Sequence, residues 1–347
     1  MPQDDTETTT ETGSAPLGES AALTSPRAIA RSFGCGLAMG TADAIPGVSG
    51  GTIALILGIY DRFIGSIAAV LAAVRRPRDL QRREAARAAL VFLVPLGVGL
   101  VAALVVATRL LVGSVPKPEG GNGAELAEQL LREPPPGWLV NPATAPTVFA
   151  FFFGLVLASV NEPWKAKATT KSVDWLLALV GAALAVGLSL SPPAAGSTSP
   201  FALVGAGAVA ISVMLLPGVS GSLALLVLGM YQPVTGALHS HEWGIVAWFA
   251  GGIVLGVATF VPLLRWVLAR AHDRTMSVLS GLMLGSLAAL WPWKAHYLPK
   301  FVAWLGPTTP VAPTEGWWAP VLSALAGAAL IIVTSRVAAG RSRTSAS

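Results

Sequence analysis

The fold follows from a segment that this sequence contains twice: PGVSGGTIALILGIY at residues 46–60 and PGVSGSLALLVLGMY at residues 217–231. Nine of the fifteen aligned positions are identical, and they include the ordered Pro-Gly-Val-Ser-Gly that opens both copies. Apolar segments that match by chance would share leucine and valine, not this ordered run. A weaker echo pairs Gly154 with Gly285, each of which precedes a Pro-Trp-Lys triplet. The duplication predicts a chain built from two related halves.

Each copy interrupts a longer apolar stretch with residues that break helices. Proline lacks a backbone N–H and glycine tolerates unusual dihedral angles, so neither copy can continue as a regular helix. A new helix should begin directly afterwards, with Ser49 and Ser220 well placed as N-caps. The N–H groups and the positive dipole end of such a helix form a site for anions. Two such sites that meet inside a membrane are typical of carriers with inverted repeats. The alternative is a glycine-rich break that only packs helices closely.

The composition places the whole chain in a membrane. Hydrophobic residues make up 53% of the 347 positions and charged residues 12%, with a mean hydropathy of +0.65. A soluble domain has about a quarter of its residues charged. Several uncharged runs reach the roughly 18 residues that a spanning helix needs. We therefore expect a polytopic helical protein whose first partner is the bilayer itself.

Other functional classes find little support in the composition. The net charge of +5 does not indicate nucleic acid, because the basic residues occur in short clusters between apolar segments. Cys35 is the single cysteine and excludes an intrachain disulfide, and the four histidines are scattered, so no metal or cofactor site is expected. Residues 1–26 lack the basic start and apolar centre of a signal peptide and are predicted to be a disordered tail.

Charges in the connecting segments predict how the chain crosses the membrane, because lysine and arginine concentrate in cytoplasmic loops. The 75–87 connection contains six arginines and should be cytoplasmic, whereas the 114–145 loop carries four glutamates and should lie outside. Continued along the chain, this rule puts both ends of 27–75 inside and both ends of 201–242 outside. Each broken segment is therefore predicted to be a re-entrant hairpin, and three spans follow each hairpin.

The predicted fold class is an all-α polytopic membrane protein with two inverted-topology repeats. Each repeat consists of a re-entrant helical hairpin plus three transmembrane helices, and both termini are cytoplasmic. The predicted boundaries are a disordered tail at 1–26, a first membrane repeat at 27–191, a second, inverted repeat at 201–335 and a basic tail at 336–347.

Asp43 is the acidic residue most deeply placed in the apolar sequence. It follows Arg31 by twelve residues, or roughly 18 Å of helix. A carboxylate at that depth costs about 2.5–3.5 kcal/mol on insertion scales. Its repeat equivalent is Met214, so the hairpin does not require an acid there. Two interpretations stay open: a coupling site for a proton or another cation, and a cap on the broken backbone near residues 46–48.

Two further groups of residues have both a structural and a functional interpretation. Tyr60 and Tyr231 end the second arms of the predicted hairpins and are typical of interfacial anchors, and the alternative role is that of a ligand. Arg62, Lys165 and Lys294 lie at predicted span ends. Such residues usually snorkel or mark orientation, and the alternative role is to contact a phosphate.

With both motifs identified, the chain resembles the polyprenyl-phosphate transporter family, long catalogued as a domain of unknown function. The similarity covers about residues 30–335 and rests on GLAMGTADAIPGVSGGTIALILGIYDRFI, LLPGVSGSLALLVLGMYQP and GLMLGSLAALWPW. The resemblance implies a flippase that returns undecaprenyl phosphate from the outer to the inner leaflet of the bacterial cytoplasmic membrane, for reuse in peptidoglycan and other envelope synthesis.

The resemblance also assigns the two anion sites to the phosphate of the lipid. The phosphate-binding residues would be Gly47, Val48, Ser49, Gly50, Gly51, Thr52, Gly218, Val219, Ser220, Gly221 and Ser222, between the breaks at Pro46 and Pro217 and their helices. Arg62, Lys165 and Lys294 would be secondary phosphate contacts, and Asp43 the candidate coupling site for a proton or cation.

Two other functions are compatible with a duplicated anion site. Membrane undecaprenyl-pyrophosphate phosphatases also use inverted repeats, re-entrant hairpins and a Pro-Gly-x-Ser motif, but their motif continues with Arg-Ser. Here Ser49 is followed by two glycines and Ser220 by Gly-Ser. No predicted span contains paired glutamates to act as acid, base or metal ligands, so we expect no enzymatic activity. A carrier of small anions, or an ion channel, is the remaining alternative.

Overall fold

The computed structural model describes the chain from residue 25 to residue 344, with gaps. The residues outside the described part are 1–24, 46–47, 112–131, 133–136, 140, 192–193, 195, 296, 298–308, 314–315 and 345–347. Within the described part, regular structure is helical apart from one isolated bridge between Lys294 and Pro310. The predicted all-α class is confirmed.

Seven helices precede the 191–199 connection and five follow it in the described part of the chain. The first set is α1 (Pro26–Asp43), α2 (Gly50–Ile56), α3 (Tyr60–Arg75), α4 (Leu80–Leu111), α5 (Ala145–Ser159), α6 (Asn161–Lys165) and α7 (Ser172–Leu190). The second set is α8 (Pro200–Met214), α9 (Gly221–Val227), α10 (Tyr231–Ser240), α11 (Trp243–Ser286) and α12 (Trp318–Thr344). Short helices α2 and α9 begin directly after the duplicated breaks, as predicted.

Helix α11 consists of two helices joined without a loop. Ala271 has φ −140° and ψ 45°, which is not helical, and separates a first arm (243–270) from a second arm (272–286). The two arms correspond to the first two of the three spans predicted to follow the second hairpin. The second arm ends at Ser286, because turns replace the helix from Leu287 onward.

In the part of the chain that the structure describes, five helices are long and apolar enough to cross a membrane: Leu80–Leu111, Ala145–Lys165, Ser172–Leu190, Trp243–Ser286 and Trp318–Arg336. Helices α2 and α3 together would make a sixth, but they are bent by 117° at the turn between them. The predicted multi-pass membrane protein is confirmed by this set of helices.

Glycines set the same close crossing in both halves, between α1 and α4 and between α8 and the first arm of α11. Gly36 faces the carbonyl of Leu96, and its repeat equivalent Gly207 faces the carbonyl of Phe249. A Cβ atom on either glycine would overlap that oxygen. The reciprocal contacts are from Gly99 to the Phe33 carbonyl and from Gly252 to the Val204 carbonyl. Small residues let membrane helices approach in this way, so the duplication extends from sequence to packing.

A second pair of crossings interlocks the two halves. Helix α5 packs against α12, where Gly154 faces the Ala324 carbonyl, and α7 packs against the second arm of α11, where Gly281 faces the Ala178 carbonyl. The reciprocal contacts are from Gly327 to the Phe151 carbonyl and from Gly181 to the Val278 carbonyl. Gly285, which the sequence echo pairs with Gly154, also faces a carbonyl of α7, that of Ala182. The reciprocal contacts, each three residues away on the same helix, pair Gly154 with Gly281 instead. The register of the two crossings is therefore defined by the reciprocal glycine contacts and not by the Pro-Trp-Lys triplets.

Arg75 links the first half to a proline in α11. Pro262 lies inside the helix and has no N–H, so the carbonyl of Ala258 loses its usual intrahelical donor. The Arg75 guanidinium donates to that carbonyl at 2.6 Å. The end of α3 is thereby attached to the first arm of α11.

Candidate substrate site

The two breaks contact each other directly. The Ser49 hydroxyl donates to the carbonyls of Met214 and Leu216, at 3.4 and 3.3 Å. In the opposite direction, the Gly218 N–H donates to the Thr52 hydroxyl at 2.8 Å. All these contacts join residues of one motif to residues at the break of the other. The structure therefore brings the two predicted anion sites together.

The second break is described in full, whereas Pro46 and Gly47 of the first lie outside the described residues. Pro217, Gly218 and Val219 are buried. Gly218 has φ +90° and lies against the backbone of Leu282 and Met283, so a side chain would be both strained and blocked there. The second arm of α11 is consequently one wall of the site.

Tyr60 also belongs to the contact between the breaks. Its side chain is buried, with 3% of its surface exposed, and its hydroxyl donates to the Leu215 carbonyl at 3.1 Å. The interpretation of Tyr60 as an interfacial anchor is wrong, because the 117° bend between α2 and α3 turns the start of α3 inward. Tyr231 starts α10 at the equivalent position and is partly buried.

Asp43 caps the first motif helix with one carboxylate oxygen. Its Oδ1 accepts the N–H of Gly50 at 2.6 Å. Its Oδ2 is buried and has no hydrogen-bond partner among the described residues. Among the described residues the cap is therefore on Gly50, the first residue of α2, whereas Pro46 and Gly47 of the predicted cap on residues 46–48 lie outside the described residues. A buried polar atom without a partner is costly, so it marks a place where a proton, cation or water can be accommodated.

The first motif helix uses all of its N-terminal donors within the protein. Besides the Gly50 N–H, the Gly51 N–H donates to the Ser49 hydroxyl, and the N–H groups of Thr52 and Ile53 donate to the Ser49 carbonyl. Ser49 is an N-cap, as predicted. The expectation of free N–H groups at this helix is wrong for the structure as it stands, because Asp43 and Ser49 occupy them.

The second motif helix is open by comparison. The Ser220 hydroxyl lies 2.7 Å from the Ser222 hydroxyl and caps no N–H group, although Ser220 stands at the N-cap position. The N–H groups of Gly221, Ser222 and Leu223 make no hydrogen bond to a described residue. The difference follows from the position before each motif, where the first half has Asp43 and the second has Met214. The two motif helices thus begin at equivalent positions, but only the second has N–H groups without a hydrogen bond to a described residue.

The three basic residues predicted as secondary contacts lie in three different settings. Lys165 forms an exposed ion pair with Glu162 at 2.8 Å. The Lys294 ammonium donates to the Ala289 carbonyl at 2.8 Å and lies 3.4 Å from the centre of the Phe149 ring. The Arg62 guanidinium lies 4.2 Å from the centre of the Phe92 ring.

A buried ion pair was missed by the sequence analysis. The Lys167 ammonium lies 2.8 Å from Asp174 Oδ2, 2.7 Å from the Ser277 hydroxyl and 3.9 Å from the centre of the Trp164 ring. The side chains of Lys167 and Asp174 are only 1% and 3% exposed. Sequence reasoning used Lys167 as an orientation signal only. The position of Asp174, at the start of an apolar stretch, was the available sign that a cation had to lie nearby.

Comparison with known proteins agrees with the family resemblance seen in the sequence motifs. Residues 39–117 and 138–300 match the model of a protein family described as undecaprenyl phosphate translocase-like. A polyprenyl-phosphate transporter of Vibrio cholerae is 38% identical over 259 residues, which are 75% of this chain and 76% of that protein. A polyprenyl-phosphate transporter of Staphylococcus aureus is 30% identical over 280 residues, which are 74% of this chain and 84% of that protein. No solved structure matches the chain.

Proposed function

Because this chain belongs to the undecaprenyl phosphate translocase-like family, we propose that it transports a polyprenyl phosphate, such as undecaprenyl phosphate, across the bacterial cytoplasmic membrane. The lipid carrier would return to the inner leaflet for reuse in envelope synthesis, including peptidoglycan. The observation that carries this proposal is the direct contact of the two duplicated breaks, with open N–H donors at the second.

The phosphate is assigned to the motif residues in two stages. In the conformation described, the available donors are the N–H groups of Gly221, Ser222 and Leu223 and one hydroxyl of the Ser220–Ser222 pair, since the other hydroxyl donates within the pair. At the first motif, the Asp43 carboxylate occupies the position in which a phosphate oxygen would accept from Gly50. Transfer of the phosphate to the first motif then requires Asp43 to give up that hydrogen bond.

Asp43 is the proposed coupling group for this exchange. A protonated carboxyl group is a weaker acceptor than a carboxylate, so a proton on Asp43 frees the Gly50 N–H for the substrate. Protonation also removes a negative charge that would repel the phosphate. A proton would thus move with the lipid, and another cation at the unpartnered Oδ2 is the alternative.

The inverted arrangement of the halves is part of the proposal. It is supported by the arginine-rich 75–87 connection, by the acidic 114–145 loop and by the glycine crossings that recur in both halves. The arrangement puts both termini in the cytoplasm. It also lets one motif face each leaflet in turn, since related halves can exchange conformations.

The proposal is tested with purified protein in liposomes. Fluorescent undecaprenyl phosphate is placed in one leaflet, its transfer is followed by quenching from outside, and phosphate release is measured in parallel. We expect transfer above that of protein-free liposomes, without phosphate release. Phosphate release at a comparable rate would identify a phosphatase instead. Uptake of small anions without lipid transfer would identify an anion carrier.

A further inference from the structure

A cationic region lies beside the first break, where α1, α3 and α4 meet. Arg62 is two residues beyond Tyr60, whose hydroxyl reaches the Leu215 carbonyl, so Arg62 begins within one helical turn of the contact between the breaks. Its guanidinium packs on the ring of Phe92, which is buried in α4. Arg62 itself is exposed, so a molecule in the bilayer can reach it.

Arg31 approaches the same place from α1. It precedes Cys35 by four residues and therefore shares a helix face with it. Where α1 crosses α4, Gly36 faces the Leu96 carbonyl and Gly40 faces the Leu100 carbonyl, so the two helices run parallel there. Arg31 lies about one turn before Gly36, as Phe92 does before Leu96, so Arg31 is level with the ring on which Arg62 packs. Among the described residues, no carboxylate forms an ion pair with either guanidinium, although Asp61 is adjacent in sequence. Two arginines without a described anionic partner thus lie at one level of the α1–α4 crossing.

We propose that Arg31 and Arg62 form a second binding site for the phosphate monoester of the transported lipid. This inference rests on the proposed function and adds a phosphate-binding site outside the two motifs. A guanidinium presents two parallel donors that match two phosphate oxygens, and stacking on Phe92 holds the fork of Arg62 in place. Cys35 precedes Asp43 by eight residues, about 12 Å of helix, so the site lies on the route to the first motif.

The site exists on only one side of the duplicated structure. The positions equivalent to Arg31 and Arg62 in the second half are Ala202 and Pro233. Because the second half has no such arginine pair, the two sides of the transporter would differ in their affinity for phosphate. In the proposed orientation the first half's hairpin opens to the cytoplasm. The lipid headgroup would then occupy the Arg31–Arg62 site when the lipid is at the inner leaflet.

The single cysteine provides the probe for this site. Labelling of Cys35 by N-ethylmaleimide is measured in the full-length protein in detergent, with increasing undecaprenyl phosphate, undecaprenol or inorganic phosphate. We expect undecaprenyl phosphate to slow labelling at the lowest concentration and inorganic phosphate only at a far higher one. Equal protection by undecaprenol would show that the tail alone covers Cys35 and would overturn the proposal. Equal protection by inorganic phosphate would assign the site to the free anion and reject the lipid.

Variants test the arginines themselves. Arg62→Gln should raise the half-protecting concentration of undecaprenyl phosphate about tenfold, as expected for the loss of one charge-assisted contact. Arg62→Lys should restore part of the loss. Arg78→Gln, which removes an exposed arginine in the α3–α4 connection, is the matched control and should change nothing. An unchanged half-protecting concentration in Arg62→Gln overturns the proposal. Binding of radiolabelled undecaprenyl phosphate to the same variants and to Arg31→Gln gives this comparison without using the thiol.

The outcome is separable from that of the proposed function. If wild-type protein transfers lipid in liposomes and lipid phosphate leaves Cys35 unprotected, the arginine site is wrong and the transport proposal stands. If lipid phosphate protects Cys35 but no transfer occurs, the binding site stands and the transport proposal is wrong.

Discussion

At the scale of single residues, the two halves differ most at the position that precedes each break. Asp43 and Met214 occupy equivalent places, and each lies against the glycine that starts the following helix, Gly50 or Gly221. Asp43 closes the first helix with a hydrogen bond, whereas Met214 offers no acceptor to the second. One substitution between the halves therefore makes one anion site closed and the other open. In the transport mechanism proposed above, coupling and substrate exchange would both depend on this asymmetry.

Replacing Asp43 by asparagine separates capping from coupling. The asparagine side chain keeps an oxygen that can accept from the Gly50 N–H but cannot take up a proton, so Asp43→Asn should still bind lipid and lose the dependence of transport on a pH gradient. A phosphate monoester has its second pKa at about 6, so a background dependence on the absolute pH will remain. Transfer rates are measured in liposomes with and without an imposed gradient. Wild-type transport with unchanged gradient dependence would leave Asp43 as a structural cap only.

The Asp43 carboxylate that caps α2 leaves no space for a side chain at Gly50. A Cβ atom there would approach Asp43 Oδ2 to 2.5 Å, so Gly50→Val should displace the carboxylate and abolish transport. Gly221→Val should act similarly, because its Cβ would lie 3.0 Å from the Ala210 carbonyl. Gly65→Val is the control, since a Cβ atom at Gly65 meets nothing within 4 Å. Transport assays are paired with a measurement of membrane insertion, and wild-type transport in both variants would leave only a packing role.

Lys167 and Asp174 should stabilise the fold as a pair and destabilise it when separated. Lys167→Met leaves the Asp174 carboxylate buried without its cation, so the thermal midpoint should fall by several degrees. The double variant Lys167→Met/Asp174→Leu should recover much of that loss, because no unpaired charge remains. Lys165→Met, which breaks an exposed pair with Glu162, is the matched control and should have little effect. Equal losses in Lys167→Met and Lys165→Met would contradict the buried-pair interpretation.

At the scale of helices, backbone-to-backbone crossings at glycines hold the protein together. Membrane helices gain little from burying apolar surface against each other, because the lipid is equally apolar. Close approach at glycine provides contact that lipid cannot replace. The α1–α4 and α8–α11 crossings use equivalent glycines, and the α5–α12 and α7–α11 crossings join one half to the other. The motif helices, with seven residues each, are positioned by these longer neighbours and not by their own length.

The equivalent α1–α4 and α8–α11 crossings can be tested at glycines that face a carbonyl, with nearby glycines that face open space as controls. Gly36→Ala and Gly207→Ala each place a methyl group against a backbone carbonyl and should destabilise the protein by about 1–3 kcal/mol. Gly34→Ala and Gly205→Ala, also equivalent to each other, meet nothing within 4 Å and should be neutral or stabilising by up to about 1 kcal/mol. Thermal unfolding in detergent distinguishes the two pairs. The duplicated packing would be refuted if Gly36 and Gly207 tolerated alanine as well as Gly34 and Gly205 do.

At the scale of the whole molecule, the interlocked halves define an architecture with the breaks at its centre. The first and second breaks touch through Ser49, Thr52 and Tyr60, while α5, α7, α12 and the second arm of α11 join the halves at their outer crossings. In the proposed mechanism, these contacts would transmit a change at one break to the other. Such coupling is what alternate exposure of one site to two leaflets requires.

Cysteine accessibility tests the proposed orientation of the halves. In a Cys35→Ala background, single cysteines introduced in the 114–145 loop and in 232–242 should react with an impermeant maleimide added outside intact cells, and cysteines in 75–87 should not. The reason is the arginine excess of 75–87, which favours the cytoplasmic side. Permeabilised cells provide the control that every position can react. External labelling at 75–87 would overturn the inverted arrangement.

The sequence by itself determined the properties that depend on local chemistry. Hydropathy placed the spans, and the Pro-Gly-Val-Ser-Gly runs predicted where α2 and α9 begin, because proline and glycine act on their own backbone. The equivalence of the two halves followed from the same residues. The depth of Asp43 in the apolar sequence also singled it out before its partner was known.

Only the tertiary structure decided which groups meet. Ser49 and the Leu216 carbonyl are separated by 167 residues, Tyr60 and Leu215 by 155, and Lys167 and Ser277 by 110. Such pairs depend on the register of helix crossings, which the hydropathy of a membrane span does not encode because every lipid-facing side is apolar. For the same reason the sequence could not tell that Asp43 closes the first motif while the second stays open. The free donors that make a substrate site are those left over after the helices have packed.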